Sequence, residues 1–394
     1  MVPTATVTVE LRKPLERALA QGHPWLWREA LGPFTAEPGA VVTVQSRDRR
    51  FVARGLAEGS GTLAVRVFTV RDEALDRPWL DARLSQALQL RKRLTPPDTT
   101  AWRLLHGEGD RLPGVVCDVY GNVGVLSLDG DGARAWEGVW AEALEPVLRG
   151  LGVGALLGRE GRGAERRTTA LWGSLPEGEV RVLEHGMTLL GDLLQGQKTG
   201  LFLDQRESRR RVRALSSGLR VLNLYGYTGG FSVAAGLGGA LDVTTVDSAP
   251  AALALATRTW AANGLDPSRH HAAAEDVPAF LAEARRRGAR WDLVIADPPS
   301  FAPRESAVEG ALKSYRALHA ACLAVLSPEG LYLAGSCSSH VGLAAFRGTL
   351  ADGAEKARRA LQVLDTWGAP ADHPCLPAFP EGEYLKNVLC RRVE

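Results

Sequence analysis

From about residue 219 onward, short aliphatic runs alternate with helical segments, and this order restricts the fold more than any other feature of the chain. "LRVLNLY" is followed by a glycine-rich loop and the helical "FSVAAGLG", and "LDVTTVD" by "APAALALATRTWAANG". "ARWDLVIAD" precedes a loop and "EGALKSYRALHAACLAVL", and "GLYLAGS" precedes "VGLAAFRGTLADGAEKARRAL". Strand, helix, strand, helix in this order predicts a parallel sheet with helices on both faces, because each crossover must return on one hand. The preceding "PEGEVRVLEHGMTLLGDLLQGQKTG" carries strands into this α/β domain, which is placed at 186–394.

The chain has 394 residues, more than one ordinary domain needs. Residues 1–72 read as a small β-barrel: "TATVTVEL" alternates with period two, "PLERALAQG" is helical, and "AVVTVQS", "RFVARGL" and "LAVRVFT" are short strands. Residues 73–185 read as a central α+β domain, with a helix in "DARLSQALQLRKRL", two strands around Tyr120–Gly121–Asn122, one helix in "ARAWEGVWAEALEPVL" and a strand in "GALLG".

Five cysteines, odd in number and without a C-x-x-C pair, argue against a disulfide framework and a zinc site and for a reducing cytoplasm. No apolar run reaches a membrane span. Net charge is only +2, and arginine supplies nearly all of the 47 basic residues. It clusters in "RRRVR", "RRRGAR" and "GREGRGAERR". Planar guanidinium groups suit phosphate, although such runs also serve as solvated helix faces.

Ligands of open α/β sheets bind beyond the carboxyl ends of the strands. After "VLNLY" comes Gly226–Tyr227–Thr228–Gly229–Gly230–Phe231, which lets backbone approach a ligand but is not the G-x-G-x-x-G of dinucleotide sites. Asp247, at the end of the second strand, is suited to both hydroxyls of a ribose or to capping the next helix. Asp276 stands at a third strand end, where it would accept from an adenine amino group or cap a helix. This series describes an adenosine pocket without a pyrophosphate grip, which favours S-adenosylmethionine over NAD.

"IADPPSF" adds a rigid turn that projects Asp297, since two prolines after a buried strand can continue neither ladder nor helix. "LYLAGSCSSH" delivers Cys337 at a strand end expected next to it. A buried cysteine is often only a small hydrophobe. Beside Asp297 it suits a different chemistry, because carbon 5 of cytosine becomes nucleophilic only after a thiolate adds at carbon 6. The other four cysteines are read as structural.

These residues resemble the RlmI-type methyltransferases of bacterial large-subunit (23S) rRNA, which make 5-methylcytosine, over the whole chain. "HPWLW" with the small barrel is similar to the family's PUA domain, an RNA-binding module, and "EGDRLPGVVCDVYGN" and "LEHGM" to its central domain. "GQKTGLFLDQRESRR", "YGYTGGFSVAA", "TVDSAPAAL", "ADPPSF", "GSCSSH", "ADHP" and "YLKNVLCR" resemble its Rossmann-like class I methyltransferase domain. The resemblance implies that Lys198, Phe202, Asp204 and Arg206 frame S-adenosylmethionine, with Arg206 on the methionine carboxylate. Tyr225 and Gly229 would line it, Asp247 hold the ribose and Asp276 the adenine. Asp297 and Pro298 would address the base, Asp297 next to the cofactor as well, and Cys337 would attack it. Ser300 stands where two-cysteine RNA cytosine methyltransferases keep a second thiol, so the group that removes the carbon-5 proton is unassigned; His340 is a candidate. Large-subunit rRNA is the expected partner, with no metal and no membrane, and a homodimer is one alternative for the oligomeric state. Uracil carbon 5, guanine N7 and a non-catalytic ribosome-assembly factor are the competing readings.

Overall fold

The computed structural model describes residues 6–161 and 166–393. The start of "TATVTVEL" and the middle of "GREGRGAERR" lie outside them. The chain forms two compact units. The first comprises Met1–Val180, Asp192–Leu203 and Ala371–Gly382, and the second Arg181–Gly191, Asp204–Pro370 and Glu383–Glu394.

The first unit holds two five-stranded sheets. Strands β1 (Thr6–Glu10), β2 (Trp25–Trp27), β3 (Val41–Gln45), β4 (Phe51–Ala57) and β5 (Leu63–Thr69) pair in the order β1-β3-β4-β5-β2, with helix α1 (Glu16–Ala20) after the first. An isolated bridge between Leu11 and Leu31 joins the segments that continue the two edge strands, which blunts both edges. Their inward aliphatic residues form one core that includes Val9, Leu26, Val42, Val44 and Val65.

The second sheet has the order β10-β9-β8-β7-β6, built from β6 (Ala101–His106), β7 (Val115–Tyr120), β8 (Val123–Leu128), β9 (Ala155–Glu160) and β10 (Arg167–Trp172). Helix α2 (Arg77–Leu94) begins on Asp76, whose side chain accepts from the Trp79 N–H, and carries Pro in its first turn, both strong start signals. The single helix expected after Asp131 is two, α3 (Asp131–Ala135) and α4 (Glu137–Arg149). Trp136 breaks it with non-helical backbone angles, because its buried indole turns inward to donate to the Gly39 carbonyl.

Charged side chains also bind this unit together. Buried Arg66 on β5 meets Glu58, Glu108 and Asp129. Buried Arg91 on α2 forks onto Asp110 and donates to the Asp372 carbonyl. Thr199 donates to Asp118, which Arg103 grips with two bonds, and the Tyr120 hydroxyl meets Thr199.

The second unit opens with the hairpin β11 (Val180–Glu184) and β12 (Met187–Gly191). Its main sheet contains β13 (Arg220–Leu224), β14 (Asp242–Asp247), β15 (His270–Ala274), β16 (Trp291–Ala296), β17 (Leu326–Ser336), β18 (Ala360–Trp367) and β19 (Lys386–Val393), in the order β15-β14-β13-β16-β17-β19-β18. Helices α5 (Arg206–Leu215), α6 (Gly230–Leu237), α7 (Pro250–Ala262), α8 (Val277–Arg286), α9 (Val308–Val325) and α10 (Leu343–Ala357) accompany it. The four strands and helices read from the alternation are present. The expected helix through Leu361 stops early: Arg358 takes a left-handed conformation, and β18 begins at Ala360. Strand β19 runs antiparallel between β17 and β18, so the sheet is parallel except for one inserted strand.

The order reverses at β13, which has β14 on one side and β16 on the other. Crossovers leave to opposite faces there and open a crevice at the carboxyl ends. Among the described residues no helix is long and apolar enough to cross a membrane, and no group of three or more His, Cys, Asp or Glu side chains could hold a metal ion.

Candidate active site

Along the carboxyl edge of the second unit's sheet, the sequence-predicted residues stand in strand order. Asp276 follows β15, Asp247 ends β14, Tyr225 follows β13, Asp297 follows β16 and Cys337 follows β17.

The turn between β13 and α6 is strained. Tyr225, Tyr227 and Gly229 all have positive φ, 55°, 46° and 77°. Two tyrosines in the left-handed region are costly, of order 1–3 kcal/mol each. Asp247 stabilises the turn by accepting from the Tyr227 N–H (2.9 Å), while its other oxygen accepts from Ala249 (2.9 Å). Helix α7 is not capped by Asp247: the N-cap residue is Ala249. A carboxylate has about four acceptor positions, so two backbone bonds leave capacity for a diol. The half-buried Asp247 therefore meets the chemical demand of a ribose site.

Asp276 is exposed and caps α8 by accepting from the Ala279 N–H at 3.3 Å. Burial raises the Tyr225 pKa, and Cys322 and then Asp276 add to it, so Asp276 is within electrostatic reach of that ring. Asp276 and Tyr225 thus border one region.

Asp297 is half-buried. Its Oδ2 accepts from the Gln205 amide at 2.9 Å. Its Oδ1 lies over Gly335, where an added Cβ would sit 2.6 Å away. Register explains this, since Ala296 pairs with Ala334 and the following residues stand side by side. Gly335 is therefore a glycine because its neighbour's carboxylate occupies the side-chain position.

Cys337 is half-buried, with Sγ 4.0 Å from the Pro298 carbonyl oxygen. The body of Pro298 is buried, so what it presents near the thiol is that carbonyl. Lys386 on β19 donates to the carbonyls of Ser338 and Val341, each at 2.7 Å. Burial pushes its pKa down to about 8, while Cys337 acts to raise it, so ammonium and thiol lie within electrostatic reach. The Tyr315 hydroxyl meets Ser336 Oγ and Ser338 Oγ at 2.9 and 3.0 Å. The loop bearing Cys337 is thereby held on both flanks. His340 is exposed.

The stretch expected to frame the cofactor is divided. Residues Asp192–Leu203 pack in the first unit, and Asp204 onward in the second. In the first, the Lys198 ammonium lies 4.4 Å from the centre of the Phe202 ring, a cation–π contact. In the second, buried Asp204 accepts from the Tyr384 hydroxyl at 2.8 Å, and Arg206 is buried at the start of α5. Gly229 is buried where an added Cβ would meet Ala256 at 2.7 Å.

The "RRRVR" run is largely committed within the protein. Arg209 grips buried Glu184 with two bonds, Arg210 pairs with Glu207 and Arg211 with Asp365. In "RRRGAR", Arg286 and Arg287 pair with Glu283. Two residues had escaped sequence reasoning, Gln205 and Lys386. Both lie inside quoted motifs, yet neither residue type announces its partner, which the sheet brings from elsewhere in the chain.

Comparison with known proteins identifies the family. Residues 167–379 match the family described as S-adenosylmethionine-dependent methyltransferase, and residues 9–70 a PUA-like domain. Ribosomal RNA large subunit methyltransferase I of Erwinia tasmaniensis is 35% identical over 393 residues, 98% of this chain and 99% of that protein. A solved structure described as a SAM-dependent methyltransferase from Streptococcus mutans is 25% identical, covering 98% of this chain and all of that one at a TM-score of 0.86. A second solved methyltransferase, complexed with SAH, has a TM-score of 0.85 and 24% identity, covers 98% of this chain and all of that one, and shows the same fold.

Proposed function

Since the chain belongs to the S-adenosylmethionine-dependent methyltransferases of large-subunit ribosomal RNA, we propose that it methylates carbon 5 of a cytosine in that RNA through a covalent Cys337 adduct. The observation that carries this reading is the thiol itself. Cys337 and Asp297 follow adjacent parallel strands at the switch-point edge, and methylation of a ring nitrogen needs no thiol.

S-adenosylmethionine, when bound, supplies a methyl group on a positively charged sulfur. The residues of the second unit proposed for it are Asp247 at the ribose, Asp276 at the adenine amino group, Tyr225 and Gly229 along the turn, and Asp204 and Arg206 toward the methionine end, with Asp297 next to it; the family resemblance adds Lys198 and Phe202. Their chemistry fits: carboxylates with acceptor capacity at two adjacent strand ends, and backbone bent to let a ligand approach.

The Cys337 thiolate bonds to carbon 6 of the cytosine, and the electron pair of the ring double bond moves toward carbon 5. Carbon 5 forms its bond to the methyl carbon as the carbon–sulfur bond of the donor breaks. Solvent water takes the carbon-5 proton, the pair of that bond re-forms the ring double bond, and the carbon 6–sulfur bond breaks to free the thiolate. Asp297, protonated or bridged to the base amino group, and the Pro298 carbonyl hold the ring. Lys386 supplies a positive charge that favours the thiolate over the thiol. The division 1–72, 73–185 and 186–394 goes with this reading, the first part docking RNA and the last carrying out the reaction; the PUA-like match over residues 9–70 supports its first boundary.

The test is Cys337→Ala and Cys337→Ser. Both should abolish methyl transfer to rRNA while S-adenosylmethionine affinity stays within about twofold, because a hydroxyl cannot replace a thiolate whose unperturbed pKa is about 8.5. RNA carrying 5-fluorocytosine at the target should trap a denaturant-stable adduct with the wild type and none with Cys337→Ala. Normal methylation by the alanine variant would overturn the assignment.

A further inference from the structure

Trp367, Ser208, Gln205 and Asp297 form a directed chain of hydrogen bonds in the second unit. The Trp367 indole N–H donates to Ser208 Oγ at 2.9 Å. The Ser208 hydroxyl donates to Gln205 Oε1 at 2.6 Å, and the Gln205 amide nitrogen donates to Asp297 Oδ2 at 2.9 Å. Ser208 and Gln205 are 1% and 2% exposed, so water cannot substitute for these partners.

The direction is set from both ends. An indole nitrogen can only donate, so Ser208 accepts from it and keeps its own hydrogen for Gln205. The amide oxygen takes that hydrogen, which leaves the NH2 group toward Asp297. Reversing the amide would set its oxygen against the carboxylate and leave a buried hydroxyl hydrogen without an acceptor, each costing about 1–3 kcal/mol. A hydrogen bond donated to Oδ2 favours the charged form of the whole carboxyl group, and with it an acceptor at Oδ1 as well. The Arg209 guanidinium, close enough for Asp297 to raise its pKa, favours the anion further.

We infer that Trp367, Ser208 and Gln205 are positioning residues that lock Asp297 as a hydrogen-bond acceptor, so that the site selects a base with an exocyclic amino group and rejects uracil. The inference rests on the reading that Asp297 addresses the target base. Cytosine offers its 4-amino group to such an acceptor. Uracil offers a carbonyl oxygen at the same position, and its only ring donor, N3–H, lies one place further along the edge. Asp297 is half-buried in the free protein and would be covered by the bound base, where an acceptor left facing an oxygen discriminates strongly. Thiol addition alone would not distinguish the two pyrimidines, because both activate carbon 5 in the same way.

The experiment uses the full-length protein with S-adenosylmethionine and an rRNA fragment containing the mapped target as cytidine or as uridine. Product bases are identified by mass spectrometry, and kcat/KM is measured for each fragment. The wild type should prefer cytidine by about 100-fold or more, with a ratio that does not change between pH 6 and 8. Ser208→Ala and Trp367→Phe free the amide to turn, and the ratio should fall at least tenfold while S-adenosylmethionine affinity stays within twofold. The near-isosteric Gln205→Glu sets two carboxyl groups to share a proton, and its ratio should fall as pH falls. A ratio as high and as pH-independent in Ser208→Ala and Gln205→Glu as in the wild type would overturn the lock and leave cytosine methylation standing. A wild-type product on a base other than cytosine would overturn the lock and the reading beneath it together.

Discussion

Single side chains at the sheet edge carry consequences out of proportion to their size. Gly335 is one: its missing Cβ is where the Asp297 carboxylate lies, 2.6 Å from the position a methyl group would take. Gly335→Ala should therefore reduce methyl transfer about 100-fold by displacing Asp297, as steady-state kinetics would show. Lys386 is another. Its folded pKa of about 8 lies below the ordinary lysine value because of burial. The unfolded chain thus binds more protons between about pH 8 and 10.5, and this group's contribution to stability grows with pH over that window. The same ammonium favours the Cys337 thiolate over the thiol, so Lys386→Met should lower kcat/KM most at about pH 6–7 and least above about pH 9, where the thiolate forms without help; a loss that does not change with pH would make Lys386 a structural residue only.

At the scale of elements, the turn from β13 to α6 is where strain, capping and ligand chemistry coincide. Asp247→Ala removes the acceptor of the Tyr227 and Ala249 N–H groups together with the proposed ribose contact. Cofactor affinity should fall by roughly 2–3 kcal/mol, from two charge-assisted bonds, as measured by calorimetric titration. Unchanged affinity in a folded variant would make Asp247 a turn residue only. Gly229→Ala should destabilise the protein by about 1–3 kcal/mol in thermal unfolding, since φ is positive and the new methyl group would meet Ala256. Legibility in the sequence varied by element for physical reasons. Strands β13, β14, β16 and β17 stood out as buried apolar runs with helices between them. Strands β18 and β19 did not: "ALQVLDTW" follows a helix with no glycine or proline stop, and only the left-handed backbone of Arg358 ends that helix.

The two units differ in what can be removed from them. Phe68 stacks with Trp140 and packs on Trp79 in the core that serves the second sheet, and Arg66 compensates Glu108 and Asp129. Deleting residues 1–72 would open that core and remove the cation paired with Glu108 and Asp129, so the truncated chain should lose stability as well as RNA affinity; circular dichroism and RNA titration would show both. For the intact chain, rRNA affinity should fall steeply between about 50 and 200 mM salt if several phosphates are contacted. With Arg209, Arg210 and Arg211 already paired to carboxylates, neutralising "RRRVR" should cost more in stability than in that salt slope.

The sequence alone determined the α/β order, the placement of Asp247, Asp276, Asp297 and Cys337 at strand ends, and the case for a thiol beside an acid-Pro-Pro turn. These follow from local patterns: hydrophobic period, breakers, and residue types that only certain chemistry needs. Tertiary structure decided which of these groups are neighbours and in what state. Gln205 and Asp297 are 92 positions apart, Lys386 comes within electrostatic reach of Cys337 only because β19 turns back beside β17, and Gly335 lies under Asp297 only through strand register. No local pattern encodes such pairings, because a hydrogen bond or a charge acts through space, and the sheet's strand order sets the distances.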